Sequence, residues 1–188
     1  MVRPLDQEDA LLAVDVQNDF CAGGSLVVPM GEAVVPELNR WIAAAVAGGA
    51  TVWASRDWHP ADHVSFHERG GPWPPHCVRN SPGAALRSDL HLPASVLIVD
   101  KGVQRDRDSY SAFDGTGLAD RLRGTGVRRV WVGGLALDYC VLATALDSVK
   151  EGFETHLLLR AARPVDVTPG DGDRAVDRMV AAGVIIEH

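Results

Sequence analysis

Cysteine is scarce in this chain: Cys21, Cys77 and Cys140 are the three among 188 residues. An odd number spread along the whole length does not form the framework that staples small secreted domains, so reduced thiols in a cytoplasmic protein are expected. Basic residues are in the minority, 18 Lys and Arg against 25 Asp and Glu, a formal charge of −7. Nucleic acid is bound through basic stripes that release counterions, and pairs such as Arg128-Arg129 are too sparse to build one. No apolar run approaches the length of a membrane span, and the segment from Met1 to Asp9 is too polar for a signal peptide. No internal repeat, linker or low-complexity tract marks a second domain. A Walker-type phosphate loop is missing too, and Gly115-Thr116-Gly117 follows no strand and has Asp120 where a third glycine belongs.

What is present is an ordinary globular composition, 46% hydrophobic and 23% charged. One domain spanning 1–188 buries roughly two-thirds of its unfolded surface, so a metal is not needed merely to hold the core, and any metal would serve function. Runs rich in Val, Leu and Ile predict six strands over 10–16, 50–55, 95–100, 128–133, 154–159 and 183–187. They alternate with helical stretches over 33–47, 118–123, 138–151 and 171–181. In the first of these, Leu38, Ile42, Ala45 and Val46 fall toward one face and Gly48-Gly49 is the stop signal. The alternation predicts an α/β fold, a three-layer α/β/α domain with a mainly parallel, Rossmann-like sheet of six strands. The exception is 56–92, a long stretch rich in Pro, Gly, His and Trp with neither hydrophobic period, and such segments are usually functional.

Ligands of open parallel sheets bind beyond the carboxyl ends of the strands. Asp15 near the end of the first predicted strand, Asp57 with His59 just after the second, Lys101 just after the third and Cys140 shortly after the fourth all fall there. Cys140 is placed in the first turn of a helix beginning near Asp138, where free N–H groups and the helix dipole are expected to lower the thiol pKa. Singly, Cys140 reads as a small buried hydrophobe, Asp15 as a capping carboxylate and Lys101 as a solvated charge. Their convergence would set a base and a cation beside a thiol. No partner histidine is placed by sequence. Asp57 and His59 share one side of an extended segment, and His76 could complete a three-ligand set for Zn²⁺, Fe²⁺ or Mn²⁺. A rival set is His59, His63 and His67, spaced by four residues if Pro60 begins a helix. Cys77 next to His76 points to the opposite face of an extended chain and is expected to be structural.

Several motifs occur in a fixed order. Val14-Asp15-Val16-Gln17-Asn18-Asp19-Phe20 is followed by Gly23-Gly24-Ser25-Leu26, then Arg56-Asp57-Trp58-His59-Pro60, Ser65-Phe66 and the run from Gly70 through Trp73 and His76 to Val78. Lys101-Gly102 precedes Asp108-Ser109-Tyr110-Ser111-Ala112-Phe113, and Gly134-Leu135-Ala136-Leu137-Asp138-Tyr139-Cys140-Val141 comes last. From Leu11 to about Glu151 this pattern resembles the isochorismatase-like cysteine hydrolases, specifically their nicotinamidase/pyrazinamidase branch. The resemblance implies a catalytic triad of Asp15, Lys101 and Cys140, with Asp15 as proton acceptor. It further implies a cis peptide at Leu135-Ala136, an oxyanion hole from the backbone N–H groups of Ala136 and Cys140, and a divalent metal, Zn²⁺ first, on Asp57, His59 and His76. Phe20, Trp73 and Tyr110 would wall a small heteroaromatic amide, and the implied activity is hydrolysis of nicotinamide to nicotinate and ammonia. A monomer or homodimer is expected, with neither nucleic acid nor membrane as partner. The chain departs from the branch pattern at Leu137, where Thr is more usual, at Arg79-Asn80 and in the charged run Gln104–Arg107. These departures keep open a related hydrolase of another small amide, such as an N-carbamoyl or ureido compound. A non-catalytic metal- or ligand-binding module is the reading from a different class.

Overall fold

Apolar runs and amphipathic stretches resolve into six strands and four α-helices in the computed structural model, which describes residues 4–188. Met1 to Arg3, the start of the polar amino-terminal segment, lie outside the described residues. β1 (Asp9–Val14) is buried at every position. It lies between β2 (Thr51–Asp57) and β4 (Arg129–Leu135), and both of its faces are covered, which is why it reads as a continuous apolar run rather than an alternating one. β3 (Leu97–Lys101) borders β2, while β5 (Glu154–Arg163) and β6 (Ile185–Glu187) extend the other side. The order is β3-β2-β1-β4-β5-β6 and every pairing is parallel. Strand order therefore reverses between β1 and β4, the crevice where doubly wound folds bind ligands.

Helices cover both faces. α1 (Val34–Gly48) packs Leu38 and Ile42 into one core with Trp131 and Leu158. α2 (Leu118–Gly124), α3 (Leu142–Lys150) and α4 (Asp171–Ala181) supply Leu118, Leu122, Leu142 and Met179 to the other. At the end of α1, Gly49 adopts φ +79° and its N–H returns to the carbonyls of Ala45 and Val46, closing the helix where Gly48-Gly49 predicted.

Several sequence expectations shift: β2 and β3 run on to Asp57 and Lys101, which the sequence reading places just past their strands, β4 runs on to Leu135, and β6 begins at Ile185 rather than 183. Val46 faces outward, 54% exposed, because Val34 and Val35 complete the apolar stripe of α1 from its first turn. β1 ends at Val14 rather than at 16, so Asp15 stands past the strand. β5 continues beyond 159 to Arg163, carrying exposed Arg160 in the strand while Ala161 and Ala162 return to the two cores. The helix expected from 138 begins instead with a π turn, Leu137–Val141, before α3. Between β2 and β3, one turn of 3₁₀ helix (His67–Arg69) interrupts otherwise irregular chain.

Candidate active site

Three strand ends and one turn converge at the switch point. Asp15 follows β1 in the left-handed region, φ +50°, a conformation Asp tolerates better than most side chains. Asp57 and Lys101 are the last residues of β2 and β3, and Cys140 lies in the π turn after β4. The Lys101 ammonium is 2.8 Å from Oδ2 of Asp15, 2.6 Å from Oδ1 of Asp57 and 3.3 Å from Sγ of Cys140. The Ser55 hydroxyl donates to Oδ1 of Asp15 at 2.7 Å, which holds that carboxylate in place. All four charged or reactive residues are buried.

Burial sets the protonation of this group. It works to discharge Lys101, but Asp15 and Asp57 outweigh it and hold the ammonium pKa well above its ordinary value. Burial raises the Asp15 pKa, with the Lys101 charge opposing. At Asp57 burial is outweighed chiefly by the Lys101 charge, so that carboxyl stays well below the usual range. The expectation for Cys140 is overturned. Burial pushes its thiol well above the ordinary value, Asp15 and Asp57 add to this, and Lys101 offsets only part of it. Nor does Cys140 sit in an α-helical first turn: the Val141 N–H reaches back five residues to the Ala136 carbonyl at 3.1 Å. The Leu135-Ala136 peptide is cis.

Beside this group, Asp57, His59 and His76 each offer a ligand atom, all within 4.8 Å of one another. His59 Nδ1 donates to the Gly102 carbonyl at 2.9 Å and His76 Nδ1 to the Pro74 carbonyl at 2.8 Å, so each imidazole keeps its Nε2 lone pair for a ligand. Gly102 has φ +60°, and a β-carbon there would stand 2.4 Å from Cε1 of His59. Only glycine lets this carbonyl approach the ring. One carboxylate and two imidazoles so oriented fit a divalent metal. The rival set fails: no helix starts at Pro60, and His63 has both ring nitrogens engaged, by Ser65 Oγ at 2.7 Å and the Arg107 carbonyl at 3.1 Å. His67 is exposed. Cys77 is buried in the α1-side core, as expected of a structural thiol.

Beside the thiol lies a small, partly open cavity walled by Phe20, Trp73 and Tyr110 and reaching Asp57, His76, Ala136 and Cys140. The Trp73 indole N–H donates to the Tyr110 hydroxyl oxygen at 3.1 Å. Burial pushes the Tyr110 hydroxyl up to about 12, so it remains a neutral phenol. Sequence reasoning missed Tyr139, whose ring meets Trp73 edge-on at 5.0 Å, together with Leu26 and Val165 in the same wall. Tyr139 had a signal, an aromatic adjoining Cys140 in the last motif. Ser55 was missed as well, although it stands two residues before Asp57, on the same face of β2. Of the departures, Leu137 is buried beside α3 in the second core, while Arg79, Asn80 and Gln104–Arg107 are exposed. The charged run ties neighbouring loops through Arg105–Asp62 (2.5 Å), Arg69–Asp106 (2.8 Å) and Arg107–Asp114.

Known proteins share this arrangement of sequence and fold. The model of the isochorismatase domain matches residues 9–188. A nicotinamidase of Escherichia coli is 41% identical over 198 residues, covering 94% of this chain and 93% of its own. The crystal structure of pyrazinamidase of Pyrococcus horikoshii in complex with zinc superposes with a TM-score of 0.92 at 47% identity, covering 96% of this chain and 99% of that one. PnC1 from L. infantum in complex with nicotinate gives 0.89 at 39% identity, over 100% and 96% of the two chains. With the family match running from the first residue of β1 past the last of β6, this chain belongs to the isochorismatase family.

Proposed function

We propose that the protein is a nicotinamidase, an amidohydrolase that converts nicotinamide to nicotinate and ammonia through a thioester on Cys140. The observation that carries this reading is the contact of one buried ammonium with Asp15, Asp57 and the Cys140 sulfur at the floor of an aromatic-walled cavity. Similarity to proteins described as nicotinamidases and to one solved with nicotinate supports the substrate.

Burial holds the resting thiol protonated, so the thiolate forms by transfer of its proton to Asp15, whose own burial makes it a better acceptor than an exposed carboxylate. The sulfur attacks the amide carbon, and charge developing on the carbonyl oxygen is taken by the backbone N–H groups of Ala136 and Cys140. Asp15 returns its proton to the departing ammonia. Water then cleaves the thioester, giving one proton to Asp15, which passes it to the sulfur; the acid product leaves and loses its carboxyl proton to the released ammonia or to solvent, giving nicotinate. Lys101 stays charged throughout and keeps the two carboxylates from repelling one another. Phe20, Trp73 and Tyr110 hold the flat ring by stacking and exclude water from the thiol. Asp57, His59 and His76 would hold a divalent metal, Zn²⁺ first, which would supply a Lewis acid beside the ring pocket. The free thiols suit the reducing cytoplasm.

Nicotinate formation from nicotinamide, followed for the wild type, for Cys140→Ala and after chelation, tests this. Activity is expected from the wild type alone, and Cys140→Ala should lose at least about 10³-fold in kcat. A wild type that makes no nicotinate with zinc supplied sinks the substrate assignment. Full activity after exhaustive chelation sinks the metal.

A further inference from the structure

Gln17 belongs to the first motif, yet it does not line the aromatic cavity. Its side chain is fully buried and fully used. Oε1 accepts the Asp57 N–H at 2.8 Å, and Nε2 donates to the carbonyls of Asp57 at 2.8 Å and Ala84 at 2.9 Å. These bonds stand where the sheet ladder stops. β1 and β2 pair up to Val14 and Ser55, and the Asp15 N–H still reaches the Ser55 carbonyl at 3.1 Å. There the chain turns left-handed and leaves the sheet. The next N–H and C=O of β2, both on Asp57, would be buried without a strand partner. A carboxamide carries the same donor and acceptor as a peptide, and Gln17 takes both. On its other edge Asp57 pairs in register with Lys101 of β3. Its backbone is thus held from two sides, and its carboxylate points Oδ1 at Lys101 (2.6 Å) while Oδ2 lies 3.7 Å from His59 Nε2.

We propose that Gln17 is a positioning residue for the metal site: its carboxamide fixes the Asp57 backbone so that one carboxylate oxygen serves Lys101 and the other a divalent metal. This rests on the metal reading above. With both amide protons committed to carbonyl oxygens, the orientation of the carboxamide is set. Glu at this position would turn a carboxylate oxygen toward two carbonyls, and Met would keep length and volume with no hydrogen bond. Contacts that orient metal ligands are typically worth about 10- to 100-fold in metal affinity.

The test is zinc affinity of the purified full-length chain, measured by competition with a chromophoric chelator below each variant's unfolding temperature. The variants are Gln17→Glu, Gln17→Met, His76→Ala and, as control, Asn39→Ala. Asn39 is another amide clamping two backbone groups, the Asp89 carbonyl and the His91 N–H, but on α1 and outside the site. Both Gln17 variants should bind zinc at least about tenfold more weakly, Asn39→Ala should match the wild type, and His76→Ala should lose the site. If Gln17→Glu does not fold, Gln17→Met decides. Zinc affinity within twofold of wild type in Gln17→Met, with His76→Ala impaired, overturns the inference and leaves the metal reading standing. Wild-type affinity in His76→Ala removes the metal reading and this inference with it.

Discussion

At Lys101 a single positive charge lies between Asp15, Asp57 and a sulfur with no exposure to water. Removing one partner from a buried ion cluster costs far more than removing a surface pair, because the remaining charges are left uncompensated. Lys101→Met should therefore lower stability at neutral pH by about 3–5 kcal/mol in urea unfolding and abolish activity together. Stability within 1 kcal/mol of wild type would mean that the two carboxylates do not depend on this ammonium. Cys140 differs from the other two thiols in its surroundings rather than its burial: it borders the aromatic cavity, whereas Cys21 and Cys77 pack into apolar core. Iodoacetamide should label Cys140 before either of them, as read by peptide mass mapping, and equal labelling rates would count against its chemical role.

At the scale of elements, β1 is anchored at its start by Asp9, which accepts Arg129 Nε–H at 2.6 Å, Trp131 Nε1–H at 2.9 Å and the Asp6 N–H at 2.7 Å. Burial works to raise its pKa, but these hydrogen bonds outweigh it and the folded value is depressed. A depressed carboxyl stabilises the fold above its unfolded pKa, about 3.9, and that contribution disappears as pH falls through the folded value. Asp9→Asn should therefore destabilise at pH 7 by about 1.5–3 kcal/mol, and the gap between the two proteins should close on acidification below about pH 4. A gap independent of pH would contradict the assignment. The strands themselves were legible because β1 and β4, buried on both faces, read as unbroken apolar runs. The end of β5 was not, since exposed Arg160 looks like a terminus when the strand in fact passes beneath it. The π turn at Cys140 was equally hidden: a hydrogen bond to the fifth residue back leaves no mark on side-chain periodicity.

Across the whole molecule, the strand order places four sequence-distant groups at one rim, and the carboxyl-edge reasoning found them from strand ends alone. Their electrostatics were not legible. The sequence shows a cysteine near a helix start, but only the fold shows how deeply it is buried, with two carboxylates beside it, and burial foremost reverses the direction of its pKa. The proposed metal would also join separate parts of the chain, since His76 comes from the irregular connection and Asp57 from β2. Zinc at about 100 times its dissociation constant should add about 2.7 kcal/mol of stability. For a chain of this size that is a rise in Tm of roughly 5–10 °C, absent in His59→Ala; an equal rise in that variant would place the metal elsewhere.

Mass spectrometry of the wild-type enzyme quenched during turnover of nicotinamide examines the proposed chemistry most directly. The predicted result is a nicotinoyl adduct on the peptide bearing Cys140, absent from Asp15→Asn and from Cys140→Ala. Nicotinate produced at the wild-type rate by Cys140→Ala would contradict it.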